Sequence, residues 1–498
     1  MYKRQTDANG NFVRPIDASR PIYTAGYIQD KFAFKDLIFN LGVRVDRYDA
    51  NVPVLKDKYS IFDTYSAGEV GGAPSNIGSD YVVYVSDFNV EPGDATVTAY
   101  RDGDNWFSAD GSSVPNPNVL GYLTPFVKDP SFISDRSKID LNAFEDYDPQ
   151  ITVMPRIAFS FPISDEALFY AHYDVLAERP DSRNFNSPYR YQFWQGVVNS
   201  NNPNLEPQKT VDYEVGFKQK LSGSSAITLS TYYREIKDLI QTTNINNAFP
   251  IVSYTTYENR DFGTVKGLTL AYDLRRTNNV RLNANYTLQY ADGTGSADNS
   301  AATLVALGLP EVRNVAPLNF DQRHTINASI DYRFGEGKDY DGPKWFGTDF
   351  LSNFGVNLRA TTFSGRPYSK IRDPFNTLIN DARNRKLIGS PNGARLPWSN
   401  RIDMRVDKDF RISNSKPLYL NLYLQVQNLL DTDNWLNVYE FTGSPVDDGF
   451  LASNQGIGEI ESNGDRGQTF QDLYTINLLR PTNFTLPRTI RLGGQFSF

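Results

Sequence analysis

The sequence predicts an all-β protein in which an antiparallel sheet curls into a barrel that crosses a membrane. Three observations lead to this prediction: strands with one apolar and one polar face, strand lengths near the ~9–11 residues that cross a bilayer, and connections that alternate between short and long. No stretch approaches the ~18 consecutive apolar residues that a membrane helix needs. A barrel avoids that requirement because only every second strand residue contacts lipid.

The C-terminal segment 488–498 shows the two faces most clearly. One face carries Ile490, Leu492, Gly494, Phe496 and Phe498, and the other carries Arg491, Gly493, Gln495 and Ser497. The faces separate because successive side chains of a strand point to opposite sides. In a membrane barrel, lipid contacts the apolar face and a polar lumen contacts the other.

The same alternation recurs along the chain, so that the sequence predicts about thirteen strands. The twelve before the last are 22–32, 37–45, 153–161, 166–175, 211–218, 226–236, 262–275, 280–290, 322–334, 350–363, 400–411 and 418–427. Strands of soluble proteins usually span ~5–6 residues. The greater length therefore favours a barrel.

The connections alternate in length. The short ones are 32–36, 162–165, 222–225, 276–279 and 413–415, and 335–349 is intermediate. The long ones are 48–149, 176–208, 237–258, 293–320, 364–399 and 431–487. Membrane barrels of bacteria have short periplasmic turns and long extracellular loops.

On this pattern the first and last strands run in the same direction, whereas a closed antiparallel barrel needs an even number of strands. We therefore expect 21–498 to be the C-terminal part of a larger barrel, and 1–20 the remnant of an extracellular loop.

Composition excludes several functional classes. The chain has no cysteine, which removes disulfides, thiolate metal sites and cysteine nucleophiles. The net charge of −8 argues against a nucleic-acid partner. The two histidines, His172 and His324, lie far apart, with no serine or cysteine constellation beside either. We predict no catalytic site and no cofactor. A glycan hydrolase, which needs paired carboxylates in one cleft, is the least favoured class.

Three acidic residues of one polar loop, Asp102, Asp104 and Asp110, suggest calcium ligands, because hard cations prefer several oxygens. The EF-hand pattern fails here, since Phe107 and Ser113 occupy its glycine and glutamate positions. We therefore predict no metal site.

Four segments resemble signatures of the β-barrel of TonB-dependent receptors, of the large Bacteroidetes type. They are 204–216 (NLEPQKTVDYEVG), 263–270 (GTVKGLTL), 320–327 (FDQRHTIN) and 426–431 (VQNLLD), followed by the terminal Phe498. Segments 26–31 and 75–81 further resemble the Oar-like subgroup, which has a carboxypeptidase-regulatory-like front domain.

This resemblance implies a barrel of about 22 strands that is filled by an N-terminal plug. It further implies a bacterial outer-membrane receptor that imports a bulky nutrient, such as an iron chelate, cobalamin, a glycan or a peptide, with energy from the TonB complex. The partners would be outer-membrane lipid, TonB, the plug and the nutrient. We expect the plug, the TonB box and the early strands to precede this chain.

Two groups of residues are candidates for function. The polar strand face predicts lumen-facing side chains that contact plug or substrate, or that only pair with one another: Asp212, Glu214, Lys218, Arg281, Asp331, Arg333, Arg359, Asp403, Arg405 and Asp407. Aromatic loop residues predict a ligand-binding rim, with interfacial anchoring or loop packing as the alternative: Trp106, Tyr189, Tyr191, Phe193, Trp194 and Trp398.

The rival interpretation is a soluble, secreted β-sandwich that binds ligands as lectins do. Such a sandwich would show the same alternation, with its apolar face turned inward onto a second sheet. The position of the apolar face therefore distinguishes the two architectures.

Overall fold

The structure is a computed structural model that describes residues 20–121, 123–135, 139–180, 201–306, 313–374, 386–412 and 418–497. The predicted turn 413–415 and the terminal Phe498 lie outside the described residues. So do four of the predicted rim aromatics: Tyr189, Tyr191, Phe193 and Trp194.

The described residues are mainly strands. These are β1 (Ile22–Phe34), β2 (Leu37–Asp49), β3 (Pro53–Leu55), β4 (Val82–Val85), β5 (Val97–Asp102), β6 (Asn105–Ser108), β7 (Ser113–Val114), β8 (Thr124–Pro125), β9 (Phe144–Asp146), β10 (Gln150–Ser164), β11 (Ala167–Glu178), β12 (Gln208–Lys220), β13 (Ser225–Asn246), β14 (Ser253–Thr277), β15 (Val280–Gly293), β16 (Ala316–Pro317), β17 (His324–Arg333), β18 (Phe354–Phe363), β19 (Pro367–Tyr368), β20 (Ala394–Arg395), β21 (Ser399–Arg411), β22 (Tyr419–Gln427) and β23 (Thr489–Ser497).

The helices are short. They are α1 (Ala67–Val70), α2 (Ser131–Ser134), α3 (Ala302–Ala306), α4 (Asn454–Ser462) and α5 (Gly467–Leu478). Single 3-10 turns occupy Pro92–Asp94, Pro117–Leu120, Leu141–Ala143, Gly337–Asp339, Gly464–Arg466 and Pro481–Asn483. No helix within the described ranges is long and apolar enough to cross a membrane.

One large antiparallel sheet contains all thirteen strands that the sequence predicts. Its order is β1-β2-β10-β11-β12-β13-β14-β15-β17-β18-β21-β22-β23, and β16 pairs with β15 beside this path. Each strand pairs with its neighbour along this path, as a series of hairpins does. The predicted fold class is confirmed. The path ends at β1 and β23, which do not pair with each other in the described residues, so the barrel is not closed.

The apolar face of this sheet is exposed. Its members form rows across neighbouring strands: Ile28, Phe32, Leu41, Val45, Ile157, Phe161, Val215, Phe217, Leu229, Leu268, Leu270, Ile326, Ile330, Leu422, Leu424, Ile490, Leu492 and Phe496. In the rival sandwich these side chains would be sealed between two sheets. Their exposure excludes that arrangement for the described strands.

The strands of the large sheet differ in how far they continue past their neighbours. We call the end that bears the predicted long loops the long-loop end, and the opposite end the short-turn end. At the long-loop end β13 and β14 continue far past their neighbours, and Asn246 pairs with Ser253. The prediction that 237–258 is a loop is therefore wrong, because most of these residues form strand. We call the extension, residues 239–261, the outer hairpin.

The longest predicted loop is also structured. Within 50–149, five short strands pair in the order β7-β6-β5-β4-β8, and β3 pairs with β9. We call this unit the loop domain. One of its hydrophobic clusters includes Ile245, Ala248 and Tyr254 of the outer hairpin. The loop domain therefore docks on the hairpin through a shared core.

Candidate functional site

A polar pocket lies between the loop domain and the outer hairpin. Its volume is about 470 Å³, and its walls include Lys58, Asp104 and Asn204 together with Tyr254 and Glu258. The loop domain supplies the first two residues, the approach to β12 supplies Asn204, and β14 supplies the last two. Three segments that are distant in sequence therefore form one cavity at the long-loop end.

Arg101 is the buried centre of the wall that the loop domain contributes. It is 4% exposed and forms an ion pair with Asp57. Its Nε donates to Tyr84 Oη at 2.9 Å, and its guanidinium carbon lies 4.4 Å from the centre of the Tyr59 ring. Burial opposes the charge of Arg101, but Tyr84 and Asp57 outweigh this effect, so that the pKa of Arg101 is raised. Burial raises the pKa of Tyr84 to about 12.

Trp106 belongs to this buried centre and not to an exposed rim. It is 4% exposed, and its ring lies 5.6 Å from that of Tyr59 and 4.9 Å from that of Tyr84. Loop packing, the alternative left open by the sequence, describes this residue, because both ring faces meet protein.

Lys58 connects the loop domain to the outer hairpin. Its Nζ lies 2.9 Å from Asp104 Oδ1 and 2.8 Å from Glu258 Oε1. Tyr254 Oη donates to the backbone oxygen of Lys58 at 2.7 Å. Burial lowers the pKa of Lys58, but its contacts with Glu258 and Asp104 together more than offset this effect, and the net pKa is raised. Burial likewise opposes ionisation of Asp104, yet its contacts with Lys58, Tyr59 and Arg101 together make its net pKa lower than usual.

Two of the three acidic residues that suggested calcium, Asp104 and Asp110, have protein partners. Asp104 accepts hydrogen bonds from Lys58 and from Tyr59 Oη. Asp110 accepts hydrogen bonds from the hydroxyl of Ser108 and the backbone of Ser112. The described residues contain no group of three or more histidine, cysteine or acidic residues arranged to hold a metal ion.

The polar face of the large sheet carries several ion pairs. Arg234 Nε lies 2.9 Å from Asp212 Oδ2, and Arg333 Nη2 lies 2.8 Å from both carboxylate oxygens of Asp407. Asp331 pairs with Arg276.

Other predicted lumen residues are partnered differently. Arg401 Nε lies 2.7 Å from Asp403 Oδ1, and the Arg405 guanidinium lies 4.1 Å from the Tyr423 ring centre. Glu214 Oε1 accepts a hydrogen bond from Tyr170 Oη at 3.3 Å. Lys218 and Arg281 form no ion pair with the described residues. Contacts with neighbouring side chains, most of them outside the predicted set, thus account for most of its members, and contact with a plug or substrate stays a prediction.

Trp398 lies on the apolar side of the sheet. It is 51% exposed and stacks on His324 at 5.6 Å, which in turn stacks on Tyr286 at 6.1 Å. Tyr286 and Ile326 are directly paired positions of this exposed face. The stack therefore stands at the long-loop end of the apolar band, as an interfacial anchor would. The other histidine, His172, lies 3.8 Å from Glu214.

The family model described as "TonB dependent receptor-like, beta-barrel" matches residues 2–429. This chain belongs to that family. The resemblance is thereby confirmed at the level of the family, whereas the Oar-like subgroup stays a prediction. No curated protein matches the chain.

Solved structures similar to this receptor barrel are distant in sequence. The FrpB iron transporter from Neisseria meningitidis shares 13% identity over 83% of this chain and 42% of its own, with a TM-score of 0.42. The outer membrane transporter YddB from Escherichia coli shares 11% identity over 83% of this chain and 51% of its own, with a TM-score of 0.45. This receptor chain thus spans about half or less of their length.

Two of the segments that resemble family signatures make buried polar contacts at the long-loop end of this receptor barrel. Asp321 is fully buried; its Oδ1 accepts from the backbone of Ala291 at 3.0 Å, and it pairs with Arg395. Asn428 is 3% exposed and accepts from the backbone of Thr432 at 3.0 Å. Sequence reasoning recognised both segments but missed the structural role of these residues, since Asp321 also binds Arg395 and Asn428 also donates to the backbone oxygen of Leu486, partners that are distant in the chain.

Proposed function

We propose that this chain is the larger part of the barrel of a bacterial outer-membrane receptor that imports a bulky nutrient with energy from TonB. The observation that carries the proposal is the pairing of an exposed apolar face with an ion-paired polar face on the same thirteen strands. Lipid suits the first face, and a hydrated lumen suits the second. The family match supports the same assignment.

The pocket between the loop domain and the outer hairpin is our candidate for first contact with the nutrient. Its wall offers a lysine, carboxylates and asparagine amides, which suit a polar ligand with several hydrogen-bonding groups. It stands at the long-loop end, which faces the cell exterior in an outer-membrane barrel. The nutrient would be an iron chelate, cobalamin, a glycan or a peptide.

Uptake assays with the full-length gene product test the proposal. A deletion strain and a complemented strain are compared for uptake of labelled ferric chelates, cyanocobalamin, oligosaccharides and peptides. We expect one class to require the gene, and a protonophore to abolish import while surface binding persists. Recovery of the mature protein in a soluble fraction would refute the proposal.

A matched pair of variants tests the pocket itself. Glu258→Gln removes a charged wall residue of the outer hairpin, whereas Asp110→Asn alters an exposed acid of the loop domain that does not line the pocket. We expect Glu258→Gln to weaken surface binding of the identified nutrient and Asp110→Asn to leave it unchanged. Equal effects of the two substitutions would exclude the pocket.

A further inference from the structure

The connection between β17 and β18 carries an exposed aromatic group at the short-turn end. Trp345 is 63% exposed, Phe346 is 97% exposed and Phe350 is 56% exposed. The Trp345 ring lies 6.3 Å from that of Phe346 and 5.8 Å from that of Phe350. We call these three residues the aromatic tip. Three large, exposed apolar side chains next to one another on one connection form the kind of patch that marks a site of contact with a protein or a membrane.

The backbone of the tip is a tight turn that suits a different residue type. Trp345 and Thr348 exchange backbone hydrogen bonds of 3.0 and 2.9 Å, and the two residues between them, Phe346 and Gly347, have φ of 48° and 78°. Such turns favour asparagine followed by glycine, and a bulky side chain at positive φ is strained. Phe346 is therefore strained although its side chain contacts little protein, which indicates that this side chain serves a contact outside the fold.

The tip adjoins the apolar face of the sheet. Lys408 lies on that face, opposite Leu422, and its Nζ donates to the backbone oxygen of Phe350 at 2.7 Å. The same ammonium is 5.3 Å from the Phe410 ring centre. Phe410 pairs with Leu420, which pairs in turn with Phe496. The Lys408 ammonium therefore lies between the tip, 5.8 Å from the Phe350 ring centre, and the apolar rows at the short-turn end of the sheet.

Cationic groups flank this aromatic surface. The Lys344 side chain is 64% exposed immediately before the tip, and its Nζ lies 3.4 Å from Asp349 Oδ1. The Lys408 ammonium lies where the tip meets the strands and donates to the backbone oxygens of Phe350 and Ser352. Aromatic rings at the level of the lipid headgroups, with lysines directed toward them, are the arrangement by which proteins anchor at a membrane interface.

We propose that the aromatic tip inserts into the phospholipid leaflet on the short-turn side and anchors this edge of the barrel there. The inference rests on the proposed outer-membrane location. Lipid is the occupant we favour because the tip adjoins a face that would meet lipid in the proposed location and because the exposed Lys344 beside it suits a phosphate headgroup. A periplasmic protein bound at the tip is the competing occupant, and the test below distinguishes it.

Spin labels on the full-length receptor in phospholipid nanodiscs test the inference. Cysteine is introduced at Phe346 and, in a second variant, at Trp345; these 498 residues contain no other cysteine, and any outside them is replaced by serine. Ile330→Cys marks the apolar face, Ser329→Cys the opposite face, and Lys338→Cys a polar turn of the same connection. Collision rates with oxygen, which partitions into lipid, and with a nickel chelate, which stays in water, are measured for each.

We expect both tip labels to resemble Ile330, with oxygen access severalfold above that of Lys338 and with little access to nickel. Tip labels that match Lys338 would overturn the inference and leave the tip to water or a protein partner. If the Ile330 label is also open to nickel, the apolar face is not in lipid, and the proposed membrane function fails as well.

Discussion

Tyr232 covers Gly267 on the polar face of the sheet. The two residues are directly paired across β13 and β14, and Tyr232 Oη donates to Gln289 Oε1 at 2.9 Å on the next strand. A side chain on Gly267 would meet Tyr232 Oη at 2.5 Å and the backbone oxygen of Leu288 at 2.8 Å. The ring thus bridges three strands because the middle one has no side chain at that point.

The same relationship recurs twice in the sheet. Tyr170 pairs with Gly216, and Tyr423 pairs with Gly493. In each pair a Cβ on the glycine would collide with the tyrosine ring. Aromatic coverage of strand glycines stabilises curved sheets. The three pairs lie at separate places between β11 and β23, so we expect this stabilisation along most of the sheet.

The first prediction concerns Gly267→Ala. The added methyl group displaces Tyr232 and breaks its hydrogen bond to Gln289, so we expect a loss of about 1–3 kcal/mol in unfolding free energy, as in overpacked cores. Gly26→Ala is the matched control, because a Cβ there meets nothing within 4 Å. Urea unfolding of the purified receptor measures both. Equal stability of the two variants would contradict the role of the Tyr232–Gly267 pair.

Alternation of side chains was enough to predict the large sheet, because only one face of each strand is apolar. It failed for the loop domain, where Val83, Tyr84 and Val85 are consecutive and all buried. It also failed for the outer hairpin, where Thr243 is fully buried although it is polar.

The pocket could not be predicted from the sequence, for a related reason. Lys58 and Glu258 are in contact yet 200 positions apart in the chain. Only the folding of the loop domain onto the outer hairpin brings them together, and neither unit showed a periodicity from which its position follows.

The second prediction tests the paired lumen residues. Arg333→Gln leaves the Asp407 carboxylate, which is 7% exposed, without its bidentate partner, and charged hydrogen bonds of this kind contribute about 1.5–3 kcal/mol. Arg281→Gln, on the same face but without an ion pair in the described structure, is the control. We expect a lower urea midpoint for Arg333→Gln alone. A comparable loss for Arg281→Gln would indicate that partners outside the described residues hold it.

The third prediction concerns the centre of the loop domain. Asp57→Asn leaves Arg101 buried without a counter-charge, a change that typically costs about 3 kcal/mol or more. We expect faster hydrogen exchange at the backbone amides of Val83 and Tyr84, with exchange in the barrel strands unchanged. Glu235→Gln, which breaks an exposed pair with Lys237, serves as the control and should alter neither region. Unchanged exchange at Val83 in Asp57→Asn would show that the buried pair does not stabilise the domain.

The fourth prediction is a pH dependence of docking between the loop domain and the outer hairpin. The folded-state pKa of Asp104 is lowered, so its contribution is complete above the usual carboxyl pKa of ~3.9 and is lost as pH falls below that value. The folded-state pKa of Lys58 is raised, so its contribution is complete below the usual lysine pKa of ~10.4 and is lost above it. Docking is therefore strongest between about pH 4 and pH 10.

Hydrogen exchange at the Phe249 amide reports this docking, because Phe249 N donates to Tyr59 O at 2.8 Å across the two units. We expect protection of this amide, after correction for intrinsic exchange, to fall as the pH drops below about 4, where protonation of the Asp104 carboxylate removes its contribution. In Asp104→Asn, protection of the Phe249 amide should already be lower at neutral pH and should lose most of its pH dependence, because the asparagine side chain does not titrate. A wild-type protection factor that stays constant through the acid range would show that the Lys58–Asp104 contact does not hold the loop domain in place.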